Sequence, residues 1–142
     1  MKVKEFMTPN VVCANTNMNV YEVAKLMNDN HIGSMPICDQ NNKVVGIVTD
    51  RDIILRNVAC NKPTSTPITE VMTQNAITIT SDTQVEEASE IMSQNQIRRI
   101  PVVDNNVVVG VVSIGDLAEK EQFGDEEVGS CLCDICKPTK NN

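Results

Sequence analysis

Apolar positions along the chain fall into a pattern that is written twice. Val20, Val23, Ala24 and Met27 stand at i, i+3, i+4 and i+7, the spacing of one helix face, and Val85, Ala88 and Met92 repeat the stripe. Asn17 and Asp82 precede the two stripes as matched cap-type residues. Short apolar runs then flank polar loops: Met35–Cys38 and Val44–Val48 around Asp39–Lys43, and Ile100–Val103 and Val107–Val112 around Asp104–Asn106. Such runs around Asn and Asp predict β-hairpins, with Pro36 and Pro101 at strand starts. Brief strands are expected before the helices, at Val11-Val12 and over 76–79. Second helices are expected from Asp50 to Ala59 and from Asp116 to about Gln122.

The doubling is an internal repeat. Met7-Thr8 recurs 65 residues later as Met72-Thr73, and Ile32 and Pro36 recur as Ile97 and Pro101. The chain therefore reads as α/β (α+β), two β-α-β-β-α units packed about a pseudo-two-fold axis. Residues 1–60 form repeat 1, 61–69 a linker stiffened by Pro63 and Pro67, and 70–122 repeat 2. Residues 123–142 form an acidic linker and a Cys-rich flexible tail. Each unit is too small to bury its sheet alone, so the two are expected to pack together.

One stretch in each repeat carries candidate chemistry. Gly46-Ile47-Val48-Thr49-Asp50-Arg51-Asp52 is echoed by Gly110-Val111-Val112-Ser113-Ile114-Gly115-Asp116. In each, a β-branched run ends at a hydroxyl residue, and an Asp follows three positions later where a helix starts. A carboxylate is favoured there by the helix dipole, and the free N–H groups make an anion site. The Asp can also accept hydroxyl hydrogen bonds of the kind a ribose diol offers. Thr, Ser and Asp are equally what an ordinary helix cap uses. Two copies in matched contexts favour a ligand.

Composition narrows the possibilities. The net charge is −7 with a pI near 4.6. A nucleic-acid partner is therefore not expected, because such binding rests on neutralising phosphates with Lys and Arg. The three aromatics, Phe6, Tyr21 and Phe123, provide no stacking platform, and the core must be aliphatic. No apolar run approaches bilayer length, and the N-terminus lacks an apolar signal region, so a cytosolic protein with no membrane partner is expected. Cysteines in that compartment are reduced or metal-binding. Cys13, Cys38 and Cys60 are scattered and read as small hydrophobes.

Together the paired Met-Thr, the Ile-x-x-x-Pro strands and the doubled Gly-x-x-Thr/Ser-x-x-Asp make residues 3–120 resemble a tandem pair of cystathionine-β-synthase (CBS) domains, a Bateman module. The resemblance implies an adenosine ligand: AMP, ADP, ATP or S-adenosylmethionine. It places the base near Val12, Ile32 and Gly33 in one site and near Ile77, Ile97 and Arg98 in the other. Asp52 and Asp116 would hold ribose hydroxyls, and Thr49 and Ser113 ribose or phosphate. Arg51, Arg98 and Arg99 are the cations suited to phosphate, Arg99 by reaching a nucleotide held on the other repeat. A homodimer in the form of a flat disk is implied as well.

No catalytic constellation is present in the sequence; the single histidine, His31, has no nucleophile at a diagnostic spacing. The expected role is regulatory, with the output passed to a separate effector protein. The tail offers an alternative. Cys131, Cys133 and Cys136 in C-x-C-x-x-C spacing could hold zinc or an iron–sulfur cluster, with Asp134, Cys60 or a second tail as a further ligand. Cys133 and Cys136 could instead form a redox pair. In either case the repeats would serve as a dimerisation scaffold. A small nucleotide-directed enzyme is a third reading.

Overall fold

Both apolar stripes form helices in the computed structural model, which describes residues 1–119 and 124–138. Helix α1 spans Val20–Asn30, and Val23 and Met27 are buried along its inner face. Its cap is Asn19 rather than Asn17: Asn19 Oδ1 accepts the Glu22 N–H at 2.9 Å, and Glu22 Oε1 accepts the Asn19 N–H at 3.2 Å. Glu22, three residues after the cap, completes this reciprocal box, and no acid stands three residues after Asn17. Helix α3 (Val85–Asn95) starts after Gln84, without a side-chain cap. Asp82 is occupied elsewhere, by Lys2 at 3.3 Å and Lys4 at 3.4 Å, and this pairing holds its carboxyl below the usual carboxylate range. Both helices stop on a left-handed residue, His31 (φ 54°) and Gln96 (φ 53°). His31 is therefore a helix terminator, its N–H donating to the carbonyls of Met27 and Asn28.

The strands are β1 (Thr8–Pro9), β2 (Ala14–Asn15), β3 (Ser34–Cys38), β4 (Val44–Thr49), β5 (Thr73–Gln74), β6 (Arg99–Asp104) and β7 (Val107–Ser113). They form two sheets, ordered β2-β3-β4-β5 and β1-β7-β6. The short strand expected at Val11-Val12 lies further on, as β2. Within 76–79, only Ile79 bridges, to Val102. Pro36 and Pro101 fall inside β3 and β6, not at their starts. Proline is tolerated at position 36 because β2 pairs only with Ile37 and Cys38, which leaves β3 an edge there.

After the hairpins, α2 (Asp50–Ile53) continues into one π-helical turn, Ile54–Val58, and α4 covers Ile114–Ala118. The rest of the expected second helix, over 120–122, lies outside the described residues. The Cys-rich segment is not a loose tail: Asp125–Cys136 is helix α5, with Cys131 and Ile135 buried.

The compact units are not consecutive halves of the chain. One comprises Val11–Ala76 with Asn106–Val108, and the other Met1–Asn10, Ile77–Asn105 and Val109–Asn142. Each lead-in segment belongs to the unit of the opposite repeat. Val3 and Phe6 lie in a core with Val85, Met92, Ile100, Val112, Leu117 and Ile135. Ile68 and Val71 lie in the other, with Val20, Val23, Met35, Ile37 and Val48. The second half of the expected exposed linker is thus core: Ile68 is fully buried, a burial that contributes roughly 1.5–3 kcal/mol. No described helix is long and apolar enough to cross a membrane.

Candidate functional site

The site is built where β4 runs into α2 and where β7 runs into α4. Thr49 ends β4 in extended conformation, and its Oγ1 accepts the Asp52 N–H at 3.0 Å. Asp52 Oδ2 accepts the Thr49 N–H at 3.0 Å in return. Ser113 and Asp116 repeat the arrangement at 3.1 Å and 2.9 Å. The cap reading and the ligand reading of these residues are therefore compatible. The box occupies one carboxylate oxygen and fixes the side chain, and the other oxygen, Oδ1, is left free of backbone donors.

The two free oxygens have different neighbours. Arg56 Nε lies 4.0 Å from Asp52 Oδ1, and Arg56 Nη1 donates to the carbonyls of Val71 and Met72 at 3.1 Å and 3.2 Å. On Asp116 Oδ1, Thr8 Oγ1 donates at 3.5 Å. Neither Arg56 nor Thr8 was among the sequence candidates. Arg56 could have been found as the i+4 partner of Asp52 on one helix face. Thr8 could not, because it arrives from a strand 108 residues away in the chain.

In the first-repeat unit the structure gathers Gly33, Thr49 and Asp52 in one corner. The Gly33 carbonyl accepts the Asp50 N–H at 2.8 Å, and Ser34 pairs with Thr49 in register. A Cβ on Gly33 would come within 2.9 Å of Asp50 Oδ2, so the bare backbone leaves room for that carboxylate. Val12 and Ile32 are half-buried and pack on the adjacent core, and Arg51 is exposed on α2.

The second-repeat corner holds Arg98, Ser113 and Asp116, with the Arg98 carbonyl accepting the Ile114 N–H at 2.9 Å. Ile97 packs on its core, and Ile77 and Arg99 are exposed. Where the first corner sets an acid against a glycine, the second sets an apolar residue against an arginine. The Arg98 guanidinium reaches Cys136 Sγ at 3.8 Å, so its side chain is directed to the end of α5.

The tail cysteines do not converge. The helix turns Cys131 inward, its thiol donating to the Ser89 carbonyl at 3.4 Å, while Cys133 and Cys136 are exposed. Residues two apart on a helix face opposite ways, so the C-x-C spacing that suits a metal in an irregular loop does not suit one here. Among the described residues no three metal-ligating side chains form a cluster, and the three-thiol metal site that the sequence offered as an alternative is not formed.

Comparison with known proteins agrees with the doubled architecture. The family model of the CBS domain matches twice, at residues 3–58 and 68–122. The chain belongs to the CBS-domain family and carries a CBS pair. YlbB of Bacillus subtilis, an uncharacterized protein, is 42% identical over 135 residues, which is 94% of this chain and 90% of that one. The CBS domain pair of protein MJ0100, solved in complex with 5′-methylthioadenosine and S-adenosyl-L-methionine, superposes with a TM-score of 0.77 at 35% identity and covers 89% of this chain and 98% of that one. The CBS domain protein PAE2072 of Pyrobaculum aerophilum, complexed with AMP, gives a TM-score of 0.81 at 27% identity, covering 91% and 99%.

Proposed function

We propose that this chain is a regulatory module that binds an adenosine-containing small molecule, of the AMP, ADP, ATP or S-adenosylmethionine class. The observation that carries the reading is the pair of reciprocal capping boxes. Each locks an aspartate at a strand-to-helix turn and leaves one carboxylate oxygen for a ligand. That oxygen suits a ribose hydroxyl, and the half-buried Val12 and Ile32 beside Gly33 offer an apolar seat for a base. The AMP complex of PAE2072 and the S-adenosylmethionine complex of MJ0100 support the same ligand class.

The output is regulation and not turnover. A ligand shifts the protein between two arrangements only by its differential affinity for them, on a scale of about 1–3 kcal/mol. A separate effector protein reads that shift. The module acts in the cytosol as a homodimer.

Isothermal titration calorimetry with AMP, ATP and S-adenosylmethionine tests the reading. Saturable binding of at least one compound, without its consumption, is expected. No binding of any of them at millimolar concentration refutes it, and turnover of the bound compound would replace regulation with catalysis.

A further inference from the structure

Arg56 joins two parts of the first-repeat unit that are distant in the chain. Nε faces Asp52 Oδ1 at 4.0 Å, and Nη1 donates to the carbonyls of Val71 and Met72 at 3.1 Å and 3.2 Å. Those carbonyls follow the 3-10 turn Ile68–Glu70, where the N–H groups of Val71 and Met72 both donate to the Ile68 carbonyl. Met72 in turn packs where Gly46 has no side chain, and β5 pairs Thr73 with Ile47. Strand β4 then leads from Gly46 to Thr49 and its box with Asp52. The contacts close a ring of acid, guanidinium, lead-in segment, glycine and strand, and Arg56 is its bridging member. The stretch that carries Arg56 is unusual in two independent ways. Ile54–Val58 is a π-helical turn, with the Ala59 N–H donating to the Ile54 carbonyl. Such single turns are rare and recur at functional sites. Asn57, next to Arg56, is 1% exposed, and its Oδ1 has no hydrogen-bond partner among the described residues. A buried orphan oxygen is a cost that neighbouring bonds must offset, and the two bonds from Arg56 to the lead-in segment are such anchors.

We infer that Arg56 is a positioning residue that passes the state of Asp52 to the segment from Ile68 to Gln74. While Oδ1 is free, its charge holds Nε and keeps the guanidinium over the two carbonyls. A hydroxyl donor that takes Oδ1 satisfies that charge, so the hold on Nε weakens. The carbonyl bonds then loosen, and the segment against Gly46 opens more often. The second corner offers the internal comparison. There Thr8, from the lead-in segment itself, donates to Asp116 Oδ1 at 3.5 Å. Thr73 is the counterpart of Thr8 in the repeat, and in the first corner Arg56 supplies the link from the acid to that segment. Arginine suits the task because its planar fork serves an acid with one nitrogen and carbonyls with another, whereas lysine offers a single point charge. The bridge is independent of the adenosine reading; only its displacement by a ligand rests on that reading.

Hydrogen exchange of the full chain, read by mass spectrometry without nucleotide, tests the bridge on Asp52→Asn, Arg56→Met and the double variant. Asp52→Asn should speed exchange of residues 71–74 by about two- to fivefold, the scale of one partly exposed ion pair. Arg56→Met should speed it at least as much, and the double variant no more than Arg56→Met alone. Exchange in α1 should not move in any of them. Arg56→Lys should behave as Arg56→Met does, and it carries the same comparison should the methionine variant fail to fold. No effect of Asp52→Asn at 71–74, or an effect that adds fully to that of Arg56→Met, overturns the inference. AMP, at a concentration that calorimetry shows to saturate each protein, should speed exchange at 71–74 in the unaltered chain and not in Arg56→Met. A slowing in the unaltered chain, or the same change in both proteins, overturns the inference as well. Absence of AMP binding sinks the adenosine reading alone, because the nucleotide-free comparison still decides for or against the bridge.

Discussion

Replacing Asp52 separates its two roles, because its two oxygens have different work. Oδ2 closes the box onto the Thr49 N–H at 3.0 Å, whereas Oδ1 faces only Arg56 Nε at 4.0 Å. Asp52→Ala removes both. Losing the box costs about 1 kcal/mol of stability, which lowers the melting temperature by roughly 3–4 °C in a chain of this size. Losing one charge-assisted hydrogen bond to a ribose hydroxyl costs about 1.5–3 kcal/mol of binding, so Kd rises by roughly tenfold to 150-fold. Asp52→Asn is the discriminating variant. Its amide oxygen can still accept the Thr49 N–H, so melting should move little, while the charge at Oδ1 is gone and AMP binding should weaken over the same range. The same pair at Asp116 should show a smaller binding loss, because Thr8 Oγ1 already engages Oδ1 at 3.5 Å and must be displaced or shared. Calorimetry and thermal melting on the four variants give both numbers. If Asp52→Asn and Asp116→Asn bind AMP as the unaltered chain does, the carboxylates are caps alone and the proposed grip on the ribose is wrong.

Two further outcomes follow from packing and burial. Gly46→Ala and Gly110→Ala should each destabilise the fold by about 1–3 kcal/mol in chemical denaturation, because the new Cβ would stand 2.7 Å and 2.8 Å from the carbonyls of Thr73 and Thr8. Gly115→Ala, whose nearest neighbour would be Ser113 Oγ at 3.5 Å, should be neutral or stabilising. Burial pushes the Cys38 thiol up to about 12 and raises Cys13 as well. Alkylation at mildly alkaline pH, read by mass spectrometry, should therefore label the exposed Cys60, Cys133 and Cys136 well before Cys13 and Cys38. The fold favours the protonated thiol, so this contribution is full below the ordinary thiol pKa near 9.0 and declines as pH rises from there toward about 12.

The repeat, both long helices, both hairpins and the paired turns were legible because each rests on local periodicity or cap chemistry. What escaped the sequence has three physical causes. The cap of α1 stands two residues beyond Asn17 because several asparagines compete there, and only the acid at Glu22 singles out Asn19. In the tail the apolar stripe, and not the thiol spacing, is the structural signal. Val128, Cys131 and Ile135 stand at i, i+3 and i+7, and cysteine served there as a small hydrophobe. The membership of the compact units could not be read at all. Two-residue strands carry no periodicity, and nothing local decides which sheet edge a lead-in segment joins.

That exchange explains why the two sequence signatures occur together. Met7-Thr8 lies against Gly110, and Met72-Thr73 against Gly46, so each Met-Thr pair is the packing partner of the opposite repeat's glycine. β1 pairs Thr8 with Val111 and Pro9 with Gly110, and β5 pairs Thr73 with Ile47 and Gln74 with Gly46. A side chain at either glycine would meet both a methionine sulfur and a strand carbonyl, and the carbonyl cannot retreat without breaking the pairing. The glycine that opens each Gly-x-x-Thr/Ser-x-x-Asp motif is therefore fixed by a segment from the other repeat, and the acid that ends it is reached by the same segment where Thr8 donates to Asp116. Neither corner is complete on its own stretch of chain. A ligand that engages Asp116 Oδ1 competes with Thr8, and Thr8 lies three residues before Val11, where the first-repeat unit begins.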